Sequence, residues 1–554
     1  VRPNPSTALA EVVIDELVRN GVDLFVVSPG SRSAALTIAA SQHPRARTVV
    51  VIDERSAAFW ALGRSKAGGG AAVIGTSGTA VANWFPAVVE ADSSLTPLIL
   101  LSADRPAELR GVGANQTIEQ AGLFGDKTRL ALDIPAPEGD DQNGWWRELV
   151  CRAVAASRGS DGRPGPVQLN VAFREPTVPV PDDGRTRTDP YPHSTEGRPD
   201  GRPWVDQPIP DTNAPMADLP PIGRGLVIAG DGRYDRPGLL EEARRLGWPL
   251  LATASSGLRG NEVIDVYHHI LAGPLPDELV PETVVAIGAV GPSERLEDLV
   301  ARARHRVRVD SWGRHIDPRR NATHRLVVDP VAFLSTMEAA PEPGWAEGWR
   351  GAQERVRKAV SGAVEWGTGA AVVGALEETG MACLVAASSL PIREVDAHLR
   401  GPVRVVANRG ASGIDGIVST ALGVSTVTPG TVLLTGDLSL YHDANGFLSE
   451  DGVGLVTVVI DNGGGGLFDS LPTAAHAPSF ERLFVTPPRR KAADLARLHG
   501  LEHHVAGSGE QLREIVDRGL TGGSRMLVEV PVDRVADLAA RRRLDEVARS
   551  ALEA

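Results

Sequence analysis

Short apolar runs, each closed by a glycine or serine turn and followed by a stretch of helical spacing, recur along the whole chain. That alternation predicts βα units built on parallel sheets. From about residue 7 to 180 the runs Leu24–Val27, Val49–Ile52, Ala72–Gly75 and Leu98–Ser102 are the expected strands. A second series comprises Leu226–Ala229, Val284–Ile287 and Arg306–Val309, with a helix expected at Leu239–Leu246. A third comprises Leu384–Ala387, Val403–Val406, Val432–Leu434, Leu455–Ile460 and Met526–Val530. The last of these stops at Pro531, which has no N–H to donate to a ladder. The series divide the chain into parcels 1–180, 222–344 and 345–554. Residues 181–221 are dense in Pro, Asp, Gly and Arg and read as a linker or a long surface excursion. The expected fold class is α/β, with three doubly wound parallel-sheet domains. A charged helix is expected over Val535–Leu552, with the run Arg541-Arg542-Arg543 on a solvated face.

The length of 554 residues is consistent with three domains at about 150 residues each. A net charge of −13 argues against a general nucleic-acid surface, so any anionic ligand must be met by local cationic groups. The two cysteines, Cys151 and Cys383, fall inside apolar elements without metal or redox spacing, as expected of core residues in a reducing cytoplasm. The chain opens into an amphipathic stretch carrying Glu11, Asp15 and Glu16, unlike a signal peptide. No apolar run approaches the roughly 20 residues that span a bilayer. The expectation is therefore a cytoplasmic protein without membrane insertion or a nucleic-acid partner. Of 57 basic residues only positions 66, 127, 358 and 491 are lysine, so one arginine taken alone says little about function.

The chemistry begins with Asp437 and Asn462. Asp437 lies in Gly436-Asp437-Leu438-Ser439 directly after an expected strand, and Asn462 follows the next strand and opens onto Gly463-Gly464-Gly465-Gly466. Mg²⁺ takes oxygen ligands, commonly one or two protein side chains with substrate phosphates in other positions. Glycines let backbone groups approach a diphosphate without Cβ obstruction. The arrangement reads as a metal and diphosphate anchor. Gly230-Asp231-Gly232 matches its first half but has no downstream Asn or glycine run, and reads as an ordinary turn. Gly68-Gly69-Gly70 lacks the Lys-Ser/Thr of a P-loop and is expected to be a loop before a strand. Glu54, at a strand-to-helix junction, suits the positive end of a helix dipole on its own account. No strand-linked Gly-x-Gly-x-x-Gly with a later acidic residue occurs, which disfavours a nicotinamide dehydrogenase.

Glu54 together with the anchor resembles the thiamine-diphosphate enzymes. Further motifs narrow the resemblance: Ser28-Pro29-Gly30-Ser31-Arg32-Ser33, Thr76 through Asn83, Ser102-Ala103-Asp104-Arg105-Pro106, Gly113-Ala114-Asn115-Gln116, and Asn408 through Gly416. Together they are similar to the 2-succinyl-5-enolpyruvyl-6-hydroxy-3-cyclohexene-1-carboxylate synthase family of menaquinone biosynthesis. The resemblance implies a pyrimidine-binding domain at 1–180, a central α/β domain at 222–344 and a diphosphate-binding domain at 345–554. It implies decarboxylation of 2-oxoglutarate and conjugate addition of the succinyl unit to isochorismate, with thiamine diphosphate and Mg²⁺, or Mn²⁺ in its place. Another thiamine-diphosphate decarboxylase or carboligase is the alternative, and a non-catalytic binder of the same fold is disfavoured by the intact Glu54. A homodimer is the implied minimum and a homotetramer the further expectation.

By the same resemblance, Glu54 is the catalytic carboxylate at the aminopyrimidine, a role that requires a partly desolvated acid. Gly436, Asp437, Leu438, Ser439, Asn462 and Gly464 bind the cofactor, with Asp437, Asn462 and the Gly464 carbonyl on the metal. Asp461 is the alternative to Asn462, which is preferred because Gly464 then falls at the family offset. Ile414 props the bent cofactor. Both substrates are dicarboxylates, for which forked guanidinium donors are suited. Ser389, Arg393 and Arg409 are assigned to 2-oxoglutarate, Arg32, Arg105, Asn115 and Gln116 to isochorismate, and Ser31 is a hydrogen-bonding neighbour in the substrate site. Leu467, Phe468 and Leu471 are assigned to the apolar lining, although an amphipathic helix start explains them equally well. Glu294 replaces one member of a family basic pair beside Arg295, which argues against substrate contact from the central domain.

Overall fold

The computed structural model describes residues 3–160, 162–179, 190–205, 222–291, 293–338, 340–449, 452–475 and 479–554. Among the described residues, seventeen strands form three sheets, and every ladder between them is parallel. The first sheet contains β1 (Leu24–Val27), β2 (Arg47–Val50), β3 (Ala71–Gly75), β4 (Leu98–Asp104), β5 (Leu130–Ile134) and β6 (Pro166–Ala172) in the order β2-β1-β3-β4-β6-β5. The second contains β7 (Gly225–Ala229), β8 (Leu250–Ala252), β9 (Thr283–Ile287), β10 (His305–Val309) and β11 (His324–Leu326) in the order β11-β10-β9-β7-β8. The third contains β12 (Cys383–Ala386), β13 (Arg404–Val406), β14 (Thr431–Gly436), β15 (Leu455–Asp461), β16 (Glu502–Val505) and β17 (Arg525–Pro531) in the order β13-β12-β14-β15-β17-β16. The first and third sheets thus repeat one permutation. In each, the strand order reverses beside the first strand, the place at which open α/β sheets generally bind ligands beyond the carboxyl ends.

The central strands read as unbroken apolar runs because both faces are covered. β1, β3, β4 and β12 are buried at every position. Two compact units result. The first is residues 1–210 with 408–429 and 440–454, and the second is 211–407 with 430–439 and 455–554. In the first, the helix Pro5–Arg19 and the helix Asn143–Arg158 cover one face of the sheet through Leu9, Val13, Leu17, Trp146 and Val150. Residues 190–205 of the expected linker pack here: Tyr191 N–H donates to the Pro3 carbonyl at 2.7 Å, and its ring lies 5.6 Å from Trp146. Residues 181–189 and 206–221 lie outside the described residues.

In the second unit the helix Trp345–Ser361 lies on the second sheet's core, where Trp349 and Val356 meet Leu544, Ala548 and Leu552 of the helix Arg534–Glu553. Arg541 on that last helix turns inward, 3.2 Å from Asp537 and 3.6 Å from Glu394, so the arginine run is not simply a solvated face. Both cysteines are buried and unbonded to each other.

Several strand limits differ from the pattern. β2 begins and ends two residues earlier than the apolar run, because Asp53 caps the helix Glu54–Lys66 and the chain must already turn at Ile52, which is 64% exposed. β6 escapes the apolar pattern because buried Gln168 and Asn170 interrupt it, yet both are satisfied: Gln168 donates to Ser102 and Asn170 to Asp104. β5, β8, β11 and β16 are short or polar strands near or at sheet edges. β17 extends to Pro531 as its final residue, opposite Asp461, and Val532 N–H makes the next bond to the Asp461 carbonyl.

Candidate active site

The expected site residues lie past the carboxyl ends of strands in the first and third sheets. In the first unit, Ser31 and Arg32 follow β1, Glu54 follows β2 and Arg105 follows β4. Glu54 is the first residue of the helix Glu54–Lys66, whose orphan N–H groups at Arg55 and Ser56 are capped by Asp53 at 2.9 and 3.3 Å. The Glu54 carboxylate is half-buried and accepts from Asn83 Nδ2 at 3.4 Å. Asp53 also accepts from Asn445 at 2.8 Å, so the start of this helix is held from both sides.

Arg32 and Arg105 converge. Arg32 donates to the Phe173 carbonyl at 2.8 Å and lies 3.1 Å from Glu175, whose side chain is 68% exposed. Arg105 donates to Ser77 Oγ just past β3. Burial, then repulsion from Arg32, lowers the Arg105 pKa, so the two guanidinium groups share one neighbourhood. Gln116 donates to the Ser77 carbonyl at 3.0 Å and holds a positive φ of 54°, with Asn115 exposed beside it. Ser77 and Asn83 were within the Thr76–Asn83 motif but not singled out, and Glu175 carried no sequence signal.

The segment Asn408–Gly416 also belongs to the first unit. Asn408 is buried and donates to Thr420 at 3.0 Å, and Arg409 and Ile414 are partly exposed. The following helix Ile417–Ser425 packs on the helix Glu54–Lys66 at the level of Gly63 and Gly423.

The second unit holds the residues of the expected anchor. Asp437 directly follows β14 and is buried, and Asn462 directly follows β15. Asp437 Oδ1 accepts the N–H of Leu438 at 2.7 Å. Burial pushes its carboxyl up to about 7, and the neighbouring Asp461 adds to the rise, while the N–H groups of Leu438 and Gly464 oppose it. Asp437 Oδ2 and Asn462 Oδ1 are both buried without a hydrogen-bond partner among the described residues. Two orphaned oxygens, one on a carboxylate that burial disfavours, suit a hard divalent cation. Asp461, beside Asp437, accepts the N–H of Gly463 at 3.2 Å. Gly464 has a φ of 129° and stands so close to Val485 that a Cβ would lie 2.2 Å from its carbonyl oxygen, so only glycine fits. Gly436 ends the strand, and Ser439 is buried on the helix Asp437–His442. The contrasting turn at Asp231 is tied by backbone bonds to Ala289.

Ser389 precedes the helix Leu390–His398 with a φ of 74°, a conformation that costs energy for a side chain with a Cβ. Arg393 Nη1 donates to its carbonyl at 2.7 Å, and burial, then repulsion from Arg541, lowers the Arg393 pKa. Leu467 and Phe468 lie on the 3-10 turn Gly466–Ser470, where Phe468 packs 5.7 Å from Phe484, and Leu471 is 41% exposed. Arg295 is engaged by Asp545 through both terminal nitrogens, at 3.0 and 2.5 Å.

Residues 7–123 match the family described as thiamine pyrophosphate enzyme, N-terminal TPP binding domain. A protein of Thermobifida fusca (strain YX) is 40% identical over 573 aligned residues, covering 99% of this chain and 100% of its own. One of Rubrobacter xylanophilus is 39% identical, with 98% of both chains covered, and one of Geobacillus kaustophilus is 38% identical, with 98% of this chain and 97% of its own covered. All three carry the name 2-succinyl-5-enolpyruvyl-6-hydroxy-3-cyclohexene-1-carboxylate synthase.

Proposed function

Since the chain belongs to the 2-succinyl-5-enolpyruvyl-6-hydroxy-3-cyclohexene-1-carboxylate synthase family of thiamine-diphosphate enzymes, we propose that it decarboxylates 2-oxoglutarate and joins the succinyl unit to isochorismate. The observation that carries the cofactor half of this reading is the pair of buried, unpartnered oxygens on Asp437 and Asn462. With the Gly464 carbonyl they would hold Mg²⁺, or Mn²⁺, against a diphosphate. Asn462 is favoured over Asp461 because its Oδ1 is buried without a partner, whereas Asp461 Oδ1 accepts the Gly463 N–H. Bound there, thiamine diphosphate supplies the electron sink for loss of CO₂ from a 2-oxoacid.

The chain's own groups do the rest. Glu54 holds and moves a proton at the aminopyrimidine ring nitrogen, a task that its half-buried place at a helix start permits. Ile414 supports the cofactor ring. Arg32 and Arg105, with Ser31, Asn115 and Gln116 beside them, receive the carboxylates of isochorismate. Two guanidinium groups in one neighbourhood suit a substrate that carries two carboxylates. Ser389, Arg393 and Arg409 take 2-oxoglutarate, and Leu467, Phe468 and Leu471 form an apolar wall. The working form is at least a homodimer, with a homotetramer as the larger assembly, in the cytoplasm. No helix among the described residues is long and apolar enough to cross a membrane.

The test is an assay with 2-oxoglutarate, isochorismate, Mg²⁺ and thiamine diphosphate, each omitted in turn. Consumption of 2-oxoglutarate that depends on all four is the expected result. Turnover of pyruvate at a comparable rate without isochorismate would overturn the substrate assignment.

A further inference from the structure

Glu90 lies on the helix Phe85–Ser93, outside every motif singled out above, and is 2% exposed. Its Oε1 accepts the backbone N–H of Gly410 at 3.0 Å and Lys66 Nζ at 3.0 Å, and its Oε2 accepts the N–H of Ala411 at 2.7 Å. Lys66 is one of only four lysines in the chain, and it too is largely buried. Gly410 approaches the end of the helix so closely that a Cβ would stand 2.6 Å from the Ser94 nitrogen and 2.7 Å from the Glu90 carbonyl oxygen. At the far end of the segment, Gly416, with a φ of 67°, is pressed against the Phe59 ring. The stretch between Asn408 and Gly416 is thereby pinned at both ends.

We propose that Glu90, braced by Lys66, is a positioning residue for catalysis, fixing the Asn408–Gly416 segment so that Arg409 and Ile414 are presented to substrate and cofactor. Three donors converge on one side chain, and a carboxylate has acceptors for all of them. Its bonds to the two N–H groups are charge-assisted and directional, stronger than a neutral group would make. A buried carboxylate is retained only where it is paired, and Lys66 supplies the pairing. Gln at this position has the same shape but sets an NH₂ against at least one of the donors. The segment would then lose one anchor immediately beside Arg409, and small misplacements of a positioning group reduce rate or affinity strongly.

The inference rests on the reading of Arg409 as a 2-oxoglutarate residue, so the experiment separates the two. E90Q, K66Q and R409A are compared with wild type for the KM of each substrate. Amide exchange is measured over peptides spanning residues 405–418 of the protein without ligands. For E90Q, faster exchange in that segment is expected, with the KM for 2-oxoglutarate raised about tenfold or more and that for isochorismate within about twofold. K66Q retains the Glu90 acceptors and should show the same pattern at smaller size, which carries the test if E90Q does not fold. Unchanged exchange, faster exchange with an unchanged 2-oxoglutarate KM, or an equal rise in both KM values would overturn the proposal. An R409A variant with unaltered 2-oxoglutarate KM would instead overturn the assignment of Arg409.

Discussion

Asn83 reaches back from the end of the short helix Thr79–Ala82 to donate to Glu54 Oε2 across 3.4 Å, at the first residue of another helix. The contact aims the carboxylate while leaving Oε1 for a further partner. Glu54→Gln preserves size and the bond from Asn83 if the amide oxygen takes it, but removes the exchangeable proton. Turnover is expected to fall by about 100-fold or more, while thiamine-diphosphate binding, followed by tryptophan fluorescence, changes little. Full turnover in this variant would refute the role given to Glu54.

The anchor makes a prediction about stability rather than rate. Mg²⁺ and thiamine diphosphate together should raise Tm, since a ligand bound only by the folded state stabilises by about 2.7 kcal/mol at 100 times its Kd. Asp437→Ala and Asn462→Ala should each abolish most of that rise, and EDTA should abolish it in wild type. Asp461→Asn should leave most of it. A result with Asp461 and Asn462 interchanged would assign the metal to the other side chain.

Arg105 donates to Ser77 and shares its surroundings with Arg32. Arg105→Lys retains the charge but loses the planar fork that meets a carboxylate with two bonds. The KM for isochorismate should rise about tenfold or more, in keeping with loss of a charge-assisted hydrogen bond, and that for 2-oxoglutarate should stay near its wild-type value. Steady-state kinetics with each substrate varied at saturating levels of the other decide it; an effect confined to 2-oxoglutarate would reverse the assignment.

A pH effect is expected from Asp443, which is fully buried and accepts the N–H and hydroxyl of Ser419 at 2.9 and 3.0 Å. Burial lifts its carboxyl to about 6 in spite of those two donors. A carboxyl raised in this way favours the folded state while protonated, below an unfolded value near about 3.9. That contribution is lost as pH rises through the folded value. Between about pH 4 and about pH 7 the wild type should therefore lose up to about 3 kcal/mol that Asp443→Asn retains. Melting curves of the two proteins across this range should converge or cross as pH rises. Parallel curves would show that Asp443 is not the titrating group.

Much of the fold was legible because burial on both faces of a parallel sheet leaves a continuous apolar run, as at β1, β4 and β14. β6 was not legible, since Gln168 and Asn170 are buried in it through partners far away in sequence. β2 was misplaced because Val51 and Ile52 are apolar while Ile52 faces outward. At the candidate site, many of the residues proposed to touch a ligand stand in glycine-rich turns after strands. Glu90 was not legible, because a glutamate on a helix is ordinary until its partners at Gly410 and Ala411 are known.

By itself, the sequence determined the α/β class, the strand-end turns that carry Asp437 and Asn462, and Glu54 at a helix start, all of which depend on neighbours within a few positions. Only the tertiary structure decided that Arg32 and Arg105 adjoin, that Arg295 is engaged by Asp545, and that the Asp437 and Asn462 oxygens are left buried without partners. The reason is physical: strand and turn propensities act over adjacent residues, whereas the electrostatics of a site come from charges and burial brought together by the fold. The expected anchor was readable as a pattern, but the buried, unpartnered oxygens that support a cation there became visible only once its surroundings were in place.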